Sequence, residues 1–234
     1  MRRSQGRAVY DEPFVTVRAE TVVHAPLVIP ADLPPGSWQY RYIKRGLDIA
    51  GALLMLAICL VPGILIAIAI LLTSPYPVFY SELRIGRFGA PFRIWKFRSM
   101  RPHGPHRVHE GVVLHWRMDK RRHDPRVTTI GRFLRRWSLD EVPQVINILR
   151  GEMSLIGPRP IVKAETYHYK HLLGYYLAAT PGLSGLWQVS GRSDLDYASR
   201  ARLDADYVEN WSLAGDFKIL LQTIPAVLGR VGAR

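Results

Sequence analysis

The stretch Ile49–Leu72 reads IAGALLMLAICLVPGILIAIAILL and holds 24 residues without a charged side chain. As an α-helix with a rise of ~1.5 Å per residue, it would be ~36 Å long, which is enough to cross a hydrocarbon core of ~30 Å. Its apolar side chains cover every face, whereas a helix on the surface of a soluble protein keeps one polar face. The run therefore predicts insertion into a membrane.

Two features predict that this run enters and leaves the membrane on the same side. Pro62 and Gly63 lie at its centre, where a proline removes a helix hydrogen bond and clashes with the preceding turn. Basic residues flank both ends: Arg41, Lys44 and Arg45 before it, and Arg84, Arg87, Arg93, Lys96, Arg98 and Arg101 after it. Because basic flanks stay on the cytoplasmic side, we expect a re-entrant helix with two arms of roughly 16–20 Å each. The alternative is a kinked helix that crosses the bilayer.

The charge of the chain is strongly positive and is concentrated in one segment. The 234 residues carry 32 Lys and Arg against 19 Asp and Glu, a net charge of +13. Fifteen of the basic residues lie between Arg84 and Arg136 with three acids, so this segment alone carries +12. Such a segment predicts partners that carry phosphate, either nucleic acid or an anionic membrane and its phosphorylated ligands. A solvated basic face is the simplest alternative.

Local patterns predict an α+β fold that is mostly helical. Alternating apolar residues on both sides of Gly86–Gly89 predict a small β-hairpin. Helices are predicted in a basic stretch ending near Arg122 and at 129–137, 145–150, 196–211 and 216–228. The last is too short to span a bilayer, so it packs on the domain or lies in the membrane interface. The Gly- and Pro-rich stretches 151–160 and 181–194 are predicted to be loops. The single cysteine, Cys59, excludes a disulfide framework.

The strongest chemical signal is the sequence RRWSLDEVPQ at 135–144, in which Asp140 and Glu141 stand side by side at a predicted helix start. Ser138 and Glu141 fit the S-x-x-E capping box. Alternatively, Asp140 as the N-cap would place Pro143 at the third helical position, where a missing N–H costs nothing. In both cases the acids lie at the positive end of a helix dipole, which favours their ionised forms. A simple structural cap would explain the pair equally well.

Cations elsewhere in the chain favour a phosphoryl-transfer site over a cap. An ionised carboxylate can attack phosphorus and form an acyl phosphate. This chemistry needs cations, typically Mg²⁺ with Arg or Lys, to offset charge on the phosphoryl oxygens. The chain offers Lys96, Arg98, Arg135 and Arg159, the last held between two prolines in GPRP. The sequence contains neither a Walker loop nor a Rossmann fingerprint, so the usual nucleotide-binding loops are not supported.

Seven motifs follow one another along residues 40–228. They are KRGLDIAG, the proline-broken apolar run, RIGRFGAPFRIWKFRSM, DPRVTTIGRFLRRWSLDEVPQ, GEMSLIGPRP, PGLSGLWQVSGRSD and DADYVENWSL. Together they resemble the bacterial sugar transferase family, the monotopic phosphoglycosyl transferases that begin surface-glycan assembly. Relatives often carry Ser before the helix-breaking proline, where this chain has Val61.

The resemblance implies a monotopic membrane protein with a re-entrant helix-break-helix, interfacial amphipathic helices and a small β-hairpin. The chain would divide into an irregular arm at 1–37, the re-entrant helix at 38–75 and a catalytic domain at 76–234 on the cytoplasmic face of the bacterial inner membrane. The implied reaction moves a hexose 1-phosphate from a UDP-sugar to undecaprenyl phosphate, with release of UMP and Mg²⁺ as cofactor. The closing motifs look most like exopolysaccharide-initiating members that use UDP-galactose or UDP-glucose.

The resemblance also assigns roles to site residues. Asp140 would be the nucleophile, form a covalent phosphosugar intermediate in a ping-pong cycle and bind the metal, while Glu141 would assist proton removal or orient the acceptor. The family's active-site cations match Lys96, Arg135 and Arg159. Substrate contacts are expected from Arg98, Gln188, Arg192 and Asp204. The expected partners are the UDP-sugar, undecaprenyl phosphate and an anionic phospholipid membrane, with no nucleic acid.

Two other functions stay open at this point. The +12 segment would also suit a membrane-tethered nucleic-acid-binding protein, whose affinity would fall steeply with salt. It would equally suit a non-catalytic scaffold that binds anionic lipid through its basic face. We favour the transferase because the other two leave the carboxylate pair and the ordered motifs unexplained.

Overall fold

The computed structural model describes residues 33–74, 77–101, 126–191 and 195–228, and within these ranges helices predominate over two small sheets. The helices are α1 (Arg45–Thr73), α2 (Thr129–Arg136), α3 (Val145–Arg150), α4 (Thr166–Tyr169), α5 (Leu173–Ala178), α6 (Leu186–Val189), α7 (Tyr197–Glu209) and α8 (Leu213–Leu228). The strands are β1 (Phe79–Ile85), β2 (Pro91–Phe97), β3 (Ser154–Ile156) and β4 (Gly182–Ser184). The expectation of a mostly helical α+β fold is confirmed.

Helix α1 carries the apolar run and continues directly from a π-helical turn at Gln39–Lys44. Together they form one helix of 35 residues that is long and apolar enough to cross a membrane. Pro62 lies inside α1, and the helix continues on both sides of it. Neighbouring turns of an apolar helix in lipid can accommodate such a proline. Large apolar side chains face outward along α1, with Val61 65% and Leu72 81% exposed, a surface suited to lipid.

Both halves of α1 pack against the rest of the chain. Before Pro62, Ala52 is buried in an apolar cluster that contains Ile94. After Pro62, Ile70 is buried in a second cluster that contains Phe97. Strand β2 supplies Ile94 to the first cluster and Phe97 to the second, so one short strand takes part in the packing of both arms of the helix.

Strands β1 and β2 form the predicted hairpin. Their antiparallel register pairs Tyr80 with Lys96 and Arg84 with Phe92. Residues directly opposite each other in such a pair share one face of the sheet. Arg84 and Lys96 therefore lie on the same face, together with the buried ring of Phe92.

The stretches 151–160 and 181–194 each contain a short strand, so the prediction that both are loops is wrong. Strands β3 and β4 pair in parallel, with Ser154 opposite Gly182 and Ile156 opposite Ser184. The two backbones approach so closely that a Cβ at Gly182 would lie 2.1 Å from the nitrogen of Gly157. The glycines that suggest a loop in the sequence thus permit close strand pairing.

A 3₁₀ turn at Leu139–Gln144 connects α2 to α3 and carries the carboxylate pair. Neither predicted cap is present, because Asp140 lies inside the turn and Ser138, at φ 54° and ψ 20°, makes no capping hydrogen bond with its side chain. The backbone N–H of Glu141 instead donates to the carbonyl of Ser138 at 3.2 Å. This backbone hydrogen bond satisfies an N–H group that a capping side chain would otherwise have bound. Both carboxylates therefore remain available for other contacts. Helix α3 ends before Gly151, as predicted.

The two predicted C-terminal helices are confirmed as α7 and α8. Asp196 caps α7, since its side chain accepts a hydrogen bond of 2.7 Å from the backbone N–H of Ser199. Helix α8 buries Ile219 and exposes Phe217 and Ile224. Its placement in the membrane interface stays a prediction.

Several predictions fall on residues outside the described ranges. These are most of the irregular arm at 1–37, the basic helix ending near Arg122, and the substrate contact Arg192. The division of the chain at 38–75 and 76–234 also stays a prediction.

Candidate active site

The turn Leu139–Gln144 lies against strand β2 and brings the carboxylate pair to the hairpin. Strand alternation places Lys96 on the face of Ile94. The Nζ atom of Lys96 lies 2.5 Å from Oε1 of Glu141. Both side chains are largely shielded, with 19% and 27% of their surfaces exposed. An ion pair this short and shielded holds both groups in one orientation.

The two adjacent carboxylates have opposite pKa shifts. Burial raises the pKa of Asp140, and the charge of Glu141 adds to this effect against the cations Lys96 and Arg135. Burial also acts to raise the pKa of Glu141, but Lys96 and Arg159 outweigh it and lower that pKa to about 2. Glu141 is therefore ionised and committed to Lys96, while Asp140 forms no ion pair within the described ranges.

A narrow cleft opens beside this pair, and its charged lining is mainly cationic. It is lined by Arg84, Ile94, Lys96, Glu141, Gln144, Arg159, Pro160, Gly182, Leu183 and Gln188. Three cations against one carboxylate create a positive potential suited to phosphate oxygens. Asp140 adjoins the cleft, near enough for Lys96 and Glu141 to shift its pKa.

Arg159 reaches the cleft from a well-held loop after β3. The Nη1 atom of Arg84 donates to the carbonyl of Pro160 at 2.9 Å. The guanidinium of Arg159 lies over the ring of Trp187, 5.6 Å from its centroid, and Trp187 is itself buried. The stacking and the flanking prolines limit the orientations open to Arg159, as a phosphate clamp requires.

Most of the residues predicted for the site meet at this cleft. Lys96, Glu141, Arg159 and Gln188 line it. Arg135, in the last turn of α2, acts on Asp140 through its charge. The structure thus brings residues from β2, α2, the 3₁₀ turn, the loop after β3 and α6 to one place.

Two residues predicted to contact substrate lie away from the cleft lining. Asp204 is 1% exposed and accepts a hydrogen bond of 2.6 Å from the hydroxyl of Tyr169. Burial raises the pKa of Asp204 to about 7, although Tyr169 and Arg159 act in the opposite direction. Arg98, which follows directly after β2, is 7% exposed.

Neither Arg84 nor Gln144 is among the residues predicted for the site, yet both line the cleft. Arg84 is paired with Glu82 and lies 3.6 Å from Glu165. The predicted hairpin could have identified Arg84. With a turn at Gly86–Gly89, Arg84 on the first strand lies on the same face of the sheet as Lys96 on the second. Gln144, which is 3% exposed, offers no such signal because it ends an irregular turn.

Beside the cationic cleft and its carboxylate, the chain has a helix that is long and apolar enough to cross a membrane. The family model described as Bacterial sugar transferase matches residues 39–230. The chain belongs to this family.

Curated relatives cover most of this chain. It is 44% identical over 200 residues to the UDP-galactose-lipid carrier transferase of Erwinia amylovora, a match of 82% of this chain and 42% of the relative. It is 42% identical over 191 residues to the exopolysaccharide production protein ExoY of Rhizobium meliloti, covering 79% and 84% of the two chains. It is 42% identical over 193 residues to the UDP-glucose:undecaprenyl-phosphate glucose-1-phosphate transferase of Caulobacter vibrioides, covering 79% and 69%. The chain thus spans less than half of the first relative and most of the second.

Proposed function

We propose that this chain transfers a hexose 1-phosphate from a UDP-sugar to undecaprenyl phosphate, releases UMP and so initiates exopolysaccharide or other surface-glycan synthesis. The names of its relatives support this reaction class, since they include a UDP-glucose:undecaprenyl-phosphate glucose-1-phosphate transferase and a UDP-galactose-lipid carrier transferase. One relative is named for exopolysaccharide production. Because the relatives differ in hexose, the proposal covers both glucose and galactose.

The observation that carries the proposal is the unequal state of the two neighbouring carboxylates. Glu141 is held by Lys96 at 2.5 Å. Asp140 forms no ion pair with the described residues, and burial raises its pKa. A carboxylate with a raised pKa is more basic once ionised and so is a stronger nucleophile. Asp140 is accordingly the residue suited to attack phosphorus.

We assign the reaction two displacements at one phosphorus atom. In the first, a carboxylate oxygen of Asp140 attacks the phosphorus that bears the hexose, the bond from this phosphorus to the bridging oxygen breaks, and UMP leaves with the electron pair. In the second, a phosphate oxygen of undecaprenyl phosphate attacks the same phosphorus and the acyl phosphate bond breaks. The free carboxylate of Asp140 is regenerated, and the hexose is left on a polyprenyl diphosphate.

The cations around Asp140 offset the charge on the phosphoryl oxygens during both steps. Lys96 and Arg159 would act from the cleft and Arg135 from the end of α2. With a pKa of about 2, Glu141 is a weak base in the resting site. The role of Glu141 is therefore better explained as orienting Lys96 than as removing a proton.

The residues near Asp140 fit the Mg²⁺ ion that we propose as cofactor. Mg²⁺ is usually held by one or two carboxylates together with substrate phosphates and water. Asp140 can supply such a carboxylate. Over the described ranges no group of three or more His, Cys, Asp and Glu could hold the ion without the substrate. When bound, the ion would neutralise phosphate charge.

We also propose that α1 is re-entrant and that the catalytic domain lies on the cytoplasmic face of the bacterial inner membrane. Ala52 before Pro62 shares an apolar cluster with Ile94 of β2, and Ile70 after it shares another with Phe97. A helix that crossed the bilayer would carry one of these contacts to the opposite face. The basic flanks at both ends of α1 indicate the cytoplasmic side.

Cysteine labelling tests this topology. Trp38 and Phe88 flank α1 in sequence and are exposed. In a Cys59→Ala background, Trp38→Cys and Phe88→Cys should both react with an impermeant thiol reagent from the cytoplasmic side alone. Reaction of either cysteine from the periplasmic side would overturn the re-entrant arrangement.

The reaction is tested with purified protein, UDP-glucose or UDP-galactose, undecaprenyl phosphate and Mg²⁺. We expect the wild type to release UMP and, with donor alone, to gain the mass of a hexose phosphate in intact mass spectrometry. Asp140→Asn should lose both signals, while Asp206→Asn, at an exposed position of α7, should keep them. Turnover retained in Asp140→Asn would remove Asp140 as the nucleophile.

A further inference from the structure

We propose that Arg98 binds the phosphate of the polyprenyl acceptor, which gives the site an acceptor end beside α1 and a donor end at Arg159. This inference rests on the proposed function and divides its cationic residues between the two substrates. Four observations lead to it: the burial of Arg98, its lack of a partner, its fixed backbone and its position directly after a residue that packs against α1.

Arg98 is a buried cation without a partner within the described ranges. It is 7% exposed, and its Nη1 and Nη2 atoms are shielded from water and make no hydrogen bond there. A buried N–H group that lacks an acceptor costs free energy, and a buried charge is normally paired. A guanidinium kept in this state is suited to an anion that arrives from outside the chain, and its planar fork matches phosphate.

The backbone around Arg98 is fixed on two sides. Its own N–H donates to the carbonyl of Val78 at 2.9 Å. The carbonyl of the next residue, Ser99, accepts a hydrogen bond of 3.1 Å from the N–H of Thr128, the N-cap of α2. A charged group on a rigid backbone loses little freedom when it binds, so this geometry favours a preorganised anion site.

Arg98 follows directly after a residue that packs against α1. Phe97, the residue before it, packs in one apolar cluster with Ile70 of α1. A Cβ placed on Gly63 would lie 3.7 Å from the Phe97 ring. Phe79 stacks on Phe97 at 5.4 Å between ring centroids and is 45% exposed, which extends the apolar surface of α1.

The solubility of each substrate then indicates which end of the site binds it. A UDP-sugar is soluble in water, whereas a polyprenyl phosphate is anchored by its tail and presents its phosphate at the membrane surface. Along β2, Lys96 and Arg98 share one face about 7 Å apart. A phosphate held by Arg98 would therefore lie next to Lys96 and Glu141, while Arg159 and Gln188 remain for the donor across the cleft.

Separate assays of the two half-reactions test the assignment. Adduct formation with donor alone reports the first step, and the KM for undecaprenyl phosphate at saturating donor reports the second. Arg98→Gln should raise the acceptor KM about tenfold or more and leave adduct formation within about twofold of wild type. Arg98→Lys, which keeps the charge but loses the fork, should show a smaller rise in KM. Arg93→Gln is the matched control, because Arg93 lies on the opposite, exposed face of the same strand.

Each contrary result has a distinct meaning. Unchanged acceptor KM in Arg98→Gln, or loss of its donor-only adduct, would overturn the assignment to the acceptor. If the change in KM vanished in nanodiscs of phosphatidylcholine without phosphatidylglycerol, Arg98 would bind bulk lipid headgroups and the assignment would fail. Should Arg98→Gln not fold, as judged by thermal unfolding, Arg98→Lys carries the same test. A wild type that forms no adduct with any UDP-sugar would overturn the proposed function and this inference together.

Discussion

The Oδ1 atom of Asp48, on the apolar helix α1, accepts a hydrogen bond of 2.9 Å from the hydroxyl of Ser154 on β3. The same oxygen accepts the backbone N–H of Leu155 at 2.9 Å. One turn earlier, the Nζ atom of Lys44 lies 2.7 Å from Oδ2 of Asp216 on α8. These buried polar contacts join the start of the apolar helix to β3 and α8, so these three elements form one packed unit.

Asp48→Ala should lower the free energy of unfolding by about 2–4 kcal/mol, because two buried donors lose a charged acceptor. Membrane association should persist, since the apolar surface of α1 is unchanged. Thermal unfolding in detergent measures the loss. The control Asp206→Ala, at an exposed position of α7, should change stability by less than about 0.5 kcal/mol. Equal stability of Asp48→Ala and the control would contradict a structural role for Asp48.

The rate of adduct formation should fall toward acid pH with the titration of Asp140. Burial raises the pKa of Asp140 above its ordinary 3.8, and Glu141 adds to this effect. Glu141 itself stays ionised down to a pH of about 2, so it does not titrate in the same range. A protonated Asp140 cannot attack phosphorus, and the rate is therefore lost as pH falls through the raised pKa.

Glu141→Gln provides the matched test of this pH dependence. This variant removes a negative neighbour of Asp140 and leaves the charge of Lys96 unopposed. The acid limb of the pH–rate profile should therefore move to lower pH, even though the maximal rate falls. Rates measured between pH 4 and 8 locate the limb in both proteins. Glu209→Gln, at an exposed position of α7, should leave it in place. A limb that stays in place or moves upward in Glu141→Gln would refute the coupling of the two carboxylates.

Asp204→Asn should stabilise the protein more at pH 8 than at pH 5. Burial raises the pKa of Asp204 from 3.8 to about 7, so the folded state favours the protonated form. The stability that this group contributes is present below pH 3.8 and is lost as pH rises toward 7. Asparagine stays neutral and can still accept the hydrogen bond from Tyr169. Melting temperatures at both pH values measure the effect, and Asp206→Asn should show none. A difference that did not depend on pH would exclude a buried titrating Asp204.

Elements specified by local pattern are predictable from this sequence. The hairpin follows from alternation on both sides of Gly86–Gly89, and α7 follows from the apolar stripe within 196–211. The cationic partners of the carboxylate pair are predictable because phosphoryl chemistry requires them. Lys96 and Arg159 indeed meet Glu141 at the cleft, although they are distant in sequence.

Features that depend on distant backbone contacts are not predictable in this way. Strands β3 and β4 have three residues each, too few for an alternation pattern to mark them. The left-handed conformation of Ser138 depends on how the 3₁₀ turn packs on β2, and a capping pattern cannot reveal it. Asp48 stands directly before the long apolar run. The local sequence predicts a membrane helix there and does not reveal that Asp48 makes buried hydrogen bonds.

The parallel pairing of β3 and β4 makes Gly182 the position least tolerant of a side chain in this part of the fold. Gly182→Ala places a Cβ 2.1 Å from the backbone nitrogen of Gly157, and neither backbone can move without breaking the strand pair. We expect a loss of about 3 kcal/mol in unfolding free energy. The control Gly46→Ala has no atom within 4 Å of the new Cβ and lies in α1, so it should gain about 0.5–1 kcal/mol. Thermal unfolding of both variants measures the contrast, and a Gly182→Ala protein as stable as wild type would show that the strands do not pair as described.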